Sequence, residues 1–173
     1  MKVVFRADAS LDMGSGHVMR CLTLAEALRA QGAECHFVSR EHAGHLLEII
    51  RQHGFAVAVL PAQPPTPPSN VRPATLQRAE QPAHASWLGC DWQADAQQTG
   101  TILATLQPDW LVVDHYALDQ RWEVALQPHY RKLLVIDDLA DRPHHCDLLL
   151  DQNLGRRPED YVGLVPAECE VLD

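Results

Sequence analysis

The stretch KVVFRADASLDMGSGHVMR, residues 2–20, decides how the chain is read. A short apolar run (Val3, Val4, Phe5) gives way to a polar turn carrying Gly14, Gly16 and His17, and a helical pattern starts at once. Strand, tight loop and helix in that order form the opening half of a βαβ unit. Glycines let the backbone turn sharply and present its N–H groups to a ligand. Open α/β sheets bind ligands in the crevice beyond the carboxyl ends of their strands. His17 falls at that edge, near the helix N-terminus, and is read as the catalytic residue. The glycine spacing is not the dinucleotide fingerprint, because Met19 stands where a third glycine belongs. Position alone leaves His17 open to a plainer reading as a helix-start residue, although histidine has no capping preference that would put it there.

Outward from this unit the alternation continues. The first helix is expected over residues 16–30, with Val18, Cys21, Leu22, Ala25 and Leu28 on one face and Gly32 as its stop. ECHFVSR reads as a second strand, HLLEIIRQHG as a helix ending at Gly54, and FAVAVL as a third strand halted by Pro61. Six prolines between Pro61 and Pro73 argue against helix or sheet and for an exposed loop within the domain. WLGCDWQADAQQTGTILATL begins as loop and becomes helix. DWLVVDHY is an almost wholly apolar fourth strand, as suits a buried parallel one. LDQRWEVALQPHY is a helix with Asp119 as its cap, KLLVIDD a fifth strand and HCDLLLDQN a sixth. A helical piece follows near residues 158–162, and LVPAECEVLD begins something apolar at the end. The alternation implies an α/β fold, a Rossmann-like doubly wound parallel sheet with its switch point beside the first strand. A length of 173 residues suits one such domain over residues 1–173.

Composition narrows the function classes. The formal charge of −9 is concentrated late, where Asp137, Asp138, Asp141, Asp147, Asp151, Glu159, Asp160, Glu168, Glu170 and Asp173 face Arg142, Arg156 and Arg157. Such a surface repels nucleic acid and anionic membrane and is a poor place to hold a diphosphate. No apolar run is long enough to span a bilayer, and Arg6 and Asp8 interrupt any signal-peptide core. Five single cysteines, with no CxxC, point to a reduced, cytoplasmic protein. Cys21 and Cys35 read as core fillers.

Polar residues gather at the strand ends: Arg6, Asp8 and His17 after the first strand, and Asp114, His115 and Tyr116 after the fourth. Asp137 and Asp138 follow the fifth, and Asp151 and Asn153 the sixth. Asp114 and Asp137 are read first as turn-capping residues, the commoner role of aspartate there. His144-His145-Cys146-Asp147 looks like a metal cluster, yet adjacent strand residues point to opposite faces and zinc ligands are spaced more widely. Asp114, Asp137 and Asp138 could hold magnesium only as a minority reading. No cofactor or metal is expected. The four tryptophans are read as packing residues. A phenol at Tyr116 could donate to a sugar hydroxyl or a leaving oxygen.

RADAS followed by GSGHVMRCLTLAEAL resembles the start of the nucleotide-sugar hydrolase family of pseudaminic acid biosynthesis, itself similar to the lipid-II-forming N-acetylglucosaminyltransferases of GT-B architecture. HASWLGCDWQADAQQT, LVVDHYALD, IDDLADRPHHCDLLLDQN and DYVGLVPAECEVL continue the likeness in order along the chain. The resemblance implies the N-terminal half of a two-domain GT-B fold, with the nucleotide held mainly by the other half. It implies hydrolysis of a UDP-linked 2,4-diacetamido-2,4,6-trideoxy-altrose by water, with inversion, and a substrate-contacting tyrosine at Tyr116. His17 would be the base, since imidazole titrates near neutral pH and a helix N-terminus disfavours imidazolium. Asp8 nearby would oppose that effect. Arg6, Asp8, Gly14, Gly16, Asp114, Tyr116 and Asn153 are the expected substrate-binding residues. The isolated half is expected to fold and to hydrolyse nothing. Three other classes are weighed: a glycosyltransferase acceptor domain, a non-catalytic sugar-binding module, and a nicotinamide oxidoreductase. The last would need an acidic residue at the end of strand two, where Ser39 and Arg40 stand.

Overall fold

In the computed structural model, which describes residues 1–62 and 81–173, the strands of the alternating pattern lie side by side in one parallel sheet. Among the described residues the sheet has seven strands in the order β3-β2-β1-β4-β5-β6-β7. They are β1 (Lys2–Ala7), β2 (Glu34–Arg40), β3 (Ala56–Leu60), β4 (Trp110–Asp114), β5 (Lys132–Ile136), β6 (Leu148–Leu150) and β7 (Glu170–Leu172). The chain runs outward from β1 to β3, then returns to the other side of β1 at β4, so the switch point lies between β1 and β4 as expected. The sixth strand is shorter than its apolar stretch implies, and the apolar ending is a seventh strand paired parallel to it. Most of the proline-rich loop lies outside the described residues.

Four α-helices flank the described part of the sheet: α1 (Gly16–Ala30), α2 (Leu47–Gln52), α3 (Trp92–Leu106) and α4 (Gln120–Leu126). α1 has the bounds its pattern implies, buries Val18, Cys21, Leu22 and Ala25, and stops before Gly32, whose φ of +86° takes the chain out of the helix. Asp119 caps α4, its side chain accepting from the Arg121 N–H at 2.9 Å. Pro128 then limits the continuation to a 3-10 turn over Gln127–His129.

The core has two layers, because side chains of a strand alternate between faces. Val3, Phe5 and Ala7 of β1, Phe37 of β2 and Val112 of β4 pack under α1 and α2 with Val18, Leu22 and Ile50. Val4, Val38, Leu111, Val113, Leu133 and Val135 pack on the opposite face under α3 and α4 with Leu103, Trp122 and Leu126. Right-handed crossovers require this split: the connections out to β3 cover one face, and those that return through β4 cover the other. Phe5 and Phe37, adjacent in register, stack with ring centroids 4.9 Å apart. Each such side chain contributes about 1.5–3 kcal/mol by leaving water. No helix among the described residues is long and apolar enough to cross a membrane.

Candidate active site

The alternation that builds the core also sorts the polar strand ends. Asp114 shares the parity of Val112 and emerges on the α1 face; Arg6 shares the parity of Val4 and emerges beneath α3. The residues expected at one site therefore form two clusters.

On the α1 face, the loop after β1 makes a tight turn in which the Gly14 N–H donates to the Ser10 carbonyl at 2.9 Å. The Ser10 hydroxyl oxygen accepts from the N–H groups of Asp12 and Met13. Gly14 has φ +75°, a conformation that penalises any side chain, whereas Gly16 lies outside that region and a Cβ there would meet nothing within 4 Å. His17, second residue of α1, is 5% exposed, and its ring contacts Asp114, Arg20 and the ring of Tyr116. Its Nδ1 lies 2.6 Å from Asp114 Oδ1. Arg20, one turn along, grips the same carboxylate through Nε and through Nη2 at 2.6 Å, and extends Nη1 to Asp138 at 3.3 Å. The Tyr116 ring meets the His17 ring edge-on, centroids 4.5 Å apart at 83°.

The electrostatics fix the direction of the hydrogen bonds. Burial pushes the Asp114 carboxyl up, but the hydrogen bonds from Arg20 and His17 and their charge outweigh it, and the group lies below the ordinary carboxylate range. An ionised carboxylate can only accept, so His17 Nδ1 carries the proton of this bond, and in the neutral ring the lone pair is then on Nε2. The 3.3 Å approach of Arg20 Nη2 to Nδ1 is then a contact between two donors that share Asp114. Burial, with the Asp138 carboxylate behind it, pushes the Tyr116 phenol up to about 12, so it remains a donor through the neutral range.

On the other face, Arg6 and Asp8 are both fully buried. Arg6 pairs with Asp8 at 2.5 Å and with Asp95 of α3 at 2.7 Å; Arg40 reaches Asp95 at 2.7 Å, and its N–H donates to Asp8 at 2.7 Å. His115 Nε2 stands 3.2 Å from Asp8. The carboxylate that faces His17 is thus Asp114 and not Asp8, and Arg6 and Asp8 spend their charges on an internal network. Asp137 behaves as a turn residue: it accepts from the N–H groups of Leu139 and Ala140 and pairs with Arg142 at 2.7 Å. Asp114 does not cap a turn. Asn153 is exposed and donates from Nδ2 to the Asp138 carbonyl at 2.9 Å, at the same sheet edge as Arg20.

His144 and Cys146 turn inward, His144 Nδ1 lying 2.6 Å from Glu123, while Asp147 accepts from the Leu133 N–H. Among the described residues no group of three or more His, Cys, Asp or Glu is arranged to hold a metal. Sequence reasoning missed Arg20, and it placed Asp138 at the strand ends without assigning it to the site of His17. Arg20 carried a usable signal, for it lies three residues beyond His17 and so on the same helix face. A cavity of about 730 Å³ opens between residues 81–94 and α4, bordered by Leu88, Trp92 and Arg121; His17 does not border it.

Comparison with known proteins agrees with this architecture. No family model matches the chain. The UDP-2,4-diacetamido-2,4,6-trideoxy-beta-L-altropyranose hydrolase of Campylobacter jejuni is 28% identical over 173 residues, 99% of this chain and 48% of that protein. The chain therefore spans about half the length of the curated relative it matches. The crystal structure of MurG from Acinetobacter baumannii superposes with a TM-score of 0.59 at 11% identity, covering 98% of this chain and 44% of the other. At that identity the likeness concerns the fold, and the fold is one half of a GT-B protein.

Proposed function

We propose that this chain is the water-activating half of a nucleotide-sugar hydrolase. The substrate would be the kind named for its relative, a UDP-linked 2,4-diacetamido-2,4,6-trideoxy-altropyranose of pseudaminic acid biosynthesis. The observation that carries the reading is the 2.6 Å contact between His17 Nδ1 and a buried, ionised Asp114, which in the neutral imidazole leaves Nε2 to accept a proton. A water at Nε2 gives up a proton as its oxygen bonds to the anomeric carbon. The bond from that carbon to the UDP oxygen breaks, and the diphosphate leaves with the electron pair. UDP is a good leaving group, so one base suffices. Asp114 holds the tautomer and steadies the imidazolium that forms, in the manner of other carboxylate–imidazole pairs. Arg20 orients the carboxylate, and Tyr116 and Asn153 would contact the sugar.

The nucleotide would be held by the partner half of the two-domain protein, which accords with the acidic late segment of this chain. The test is product analysis on the two-domain protein by NMR. UDP and the free sugar should appear, with inversion, and His17→Ala should abolish turnover while UDP binding persists. Full activity in that variant sinks the proposal. Transfer of the sugar to an added acceptor hydroxyl in place of water would make the protein a glycosyltransferase. The 1–173 chain alone should release no UDP, and calorimetric UDP binding by it in the micromolar range would contradict this division of labour.

A further inference from the structure

Three of the four tryptophans account for themselves as packing residues, as expected. Trp122 is fully buried and donates from Nε1 to Asp95 at 2.9 Å. Trp110 lies in β4 with Lys132 Nζ 5.8 Å from its ring, and Trp92 opens α3 with the Arg121 guanidinium 5.7 Å from its ring. Trp87 differs. It sits on a 3-10 turn, Ala85–Leu88, which is pinned to the core by Leu88, and its own ring stays half-buried.

That ring faces the candidate active site. The His84 ring lies 4.5 Å from Trp87 and 5.4 Å from Tyr116, and Trp87 lies 5.9 Å from Tyr116 at an interplanar angle of 31°. Tyr116 in turn meets His17 edge-on at 4.5 Å. Trp87, His84, Tyr116 and His17 thus form an unbroken row of rings that ends on the imidazole paired with Asp114. His84 Nδ1 is buried and has no hydrogen-bond partner among the described residues, so ring packing holds this imidazole. The polar groups lie at the inner end of the row: Asp114 and Arg20 contact His17, and Asp138 stands behind Tyr116.

We propose that Trp87 and His84 form the outer wall of a pyranose subsite, and that they favour a sugar whose face carries apolar substituents, an N-acyl group and a C6 methyl. The inference rests on the hydrolase reading above and deepens it. Aromatic faces carry partial negative charge and accept the weakly positive C–H bonds of a pyranose, while acetamido and deoxy methyl groups gain by leaving water. A ligand site built mostly of rings with a few convergent polar groups is the usual pattern for a small molecule. A hydroxymethyl-bearing sugar without acyl groups would place hydroxyls against Trp87 and lose their hydration unpaid by hydrogen bonds.

The test compares Trp87→Ala, Trp87→Phe and His84→Ala with the wild type in the two-domain protein. The substrates are the UDP-diacetamido-trideoxy sugar and UDP-glucose. For the diacetamido sugar, Trp87→Ala should raise KM about tenfold with a much smaller change in kcat, Trp87→Phe should recover most of the loss, and discrimination against UDP-glucose should shrink by a similar factor. Tryptophan fluorescence provides a readout without chemistry: in the non-hydrolysing His17→Ala background the diacetamido sugar should quench emission, and Trp87→Phe should remove that quench. Unchanged KM and unchanged quenching in the Trp87 variants, with hydrolysis intact, overturn the subsite and leave the hydrolase reading standing. Quenching without hydrolysis in the wild type overturns the hydrolase reading and keeps the subsite. Neither quenching nor hydrolysis overturns both.

Discussion

Removal of the Asp95 carboxylate should cost more stability than its place on a helix would suggest. The side chain is fully buried and accepts from Arg6 through Nε at 3.3 Å and Nη2 at 2.7 Å, from Arg40 at 2.7 Å, from Trp122 at 2.9 Å and from Thr99 at 3.3 Å. Asp95→Ala leaves two buried guanidiniums short of countercharge, a class of change that costs about 3–5 kcal/mol. Arg6 keeps both of its bonds to Asp8, and Arg40 keeps the Pro61 carbonyl and Gln98, so the lower part of that range applies, about 3–4 kcal/mol. At about 2–4 °C per kcal/mol for a chain of this size, Tm should fall by roughly 6–16 °C. Asp95→Asn, which retains one acceptor oxygen, should fall between the variant and the wild type. The pH dependence gives a second check. Burial pushes the Asp95 carboxyl up, Arg6 more than reverses this, and its folded pKa lies below the ordinary value of about 3.9. A depressed carboxylate stabilises the fold fully above its unfolded pKa and loses that contribution as pH falls through the folded one. The gap between the wild type and Asp95→Asn should therefore hold at neutral pH and narrow below about pH 4. Thermal melts from pH 7 to pH 3 measure it. A loss under about 1 kcal/mol at pH 7, or a gap that widens in acid, would refute the view that this buried network is tightly paired.

Other expectations follow from the same contacts. Asp114→Asn should leave the fold intact and lower kcat by about 10²-fold or more, because an amide can offer His17 the wrong partner and upset the tautomer; steady-state kinetics on the two-domain protein check this. Gly14→Ala should cost about 1–2 kcal/mol of stability through its positive φ. Gly16→Ala should leave Tm unchanged, since its Cβ would meet open space, and any loss of activity without loss of stability would mark Gly16 as a place where the sugar approaches the backbone. Phe37→Ala should destabilise by about 3–5 kcal/mol in urea unfolding, for its fully buried ring packs on Phe5 and Phe55. Asp8, Asp114 and Asp137 are also held below the ordinary carboxylate range. In each, burial pushes up and the largest opposing causes, Arg6, Arg20 and Arg142 respectively, prevail, so overall stability should fall steeply in acid.

The order of strands and helices was legible because both periodicities are local. Val3 to Phe5, the i, i+3, i+4 spacing of Val18, Cys21 and Leu22, and the stop at Gly32 need no distant partner to be recognised. The doubly wound order followed from alternation and the handedness of crossovers. The tip-to-tip gathering of polar residues was legible too, and so was the alternation that divides them, since Arg6 and Asp8 have the parity of Val4. That parity becomes informative only once it is known which helices cover which face.

Residues 2–20 by themselves determined a strand, a glycine turn and a helix that begins at Gly16, since steric limits and side-chain periodicity act over a few residues. Tertiary structure alone decided which carboxylate meets the imidazole. Asp114 arrives from 97 residues away in register beside β1, while Arg6 finds Asp95 across 89 residues on the opposite face. Long-range pairing of charges depends on which helix the chain lays over each side of the sheet, and no local pattern records it.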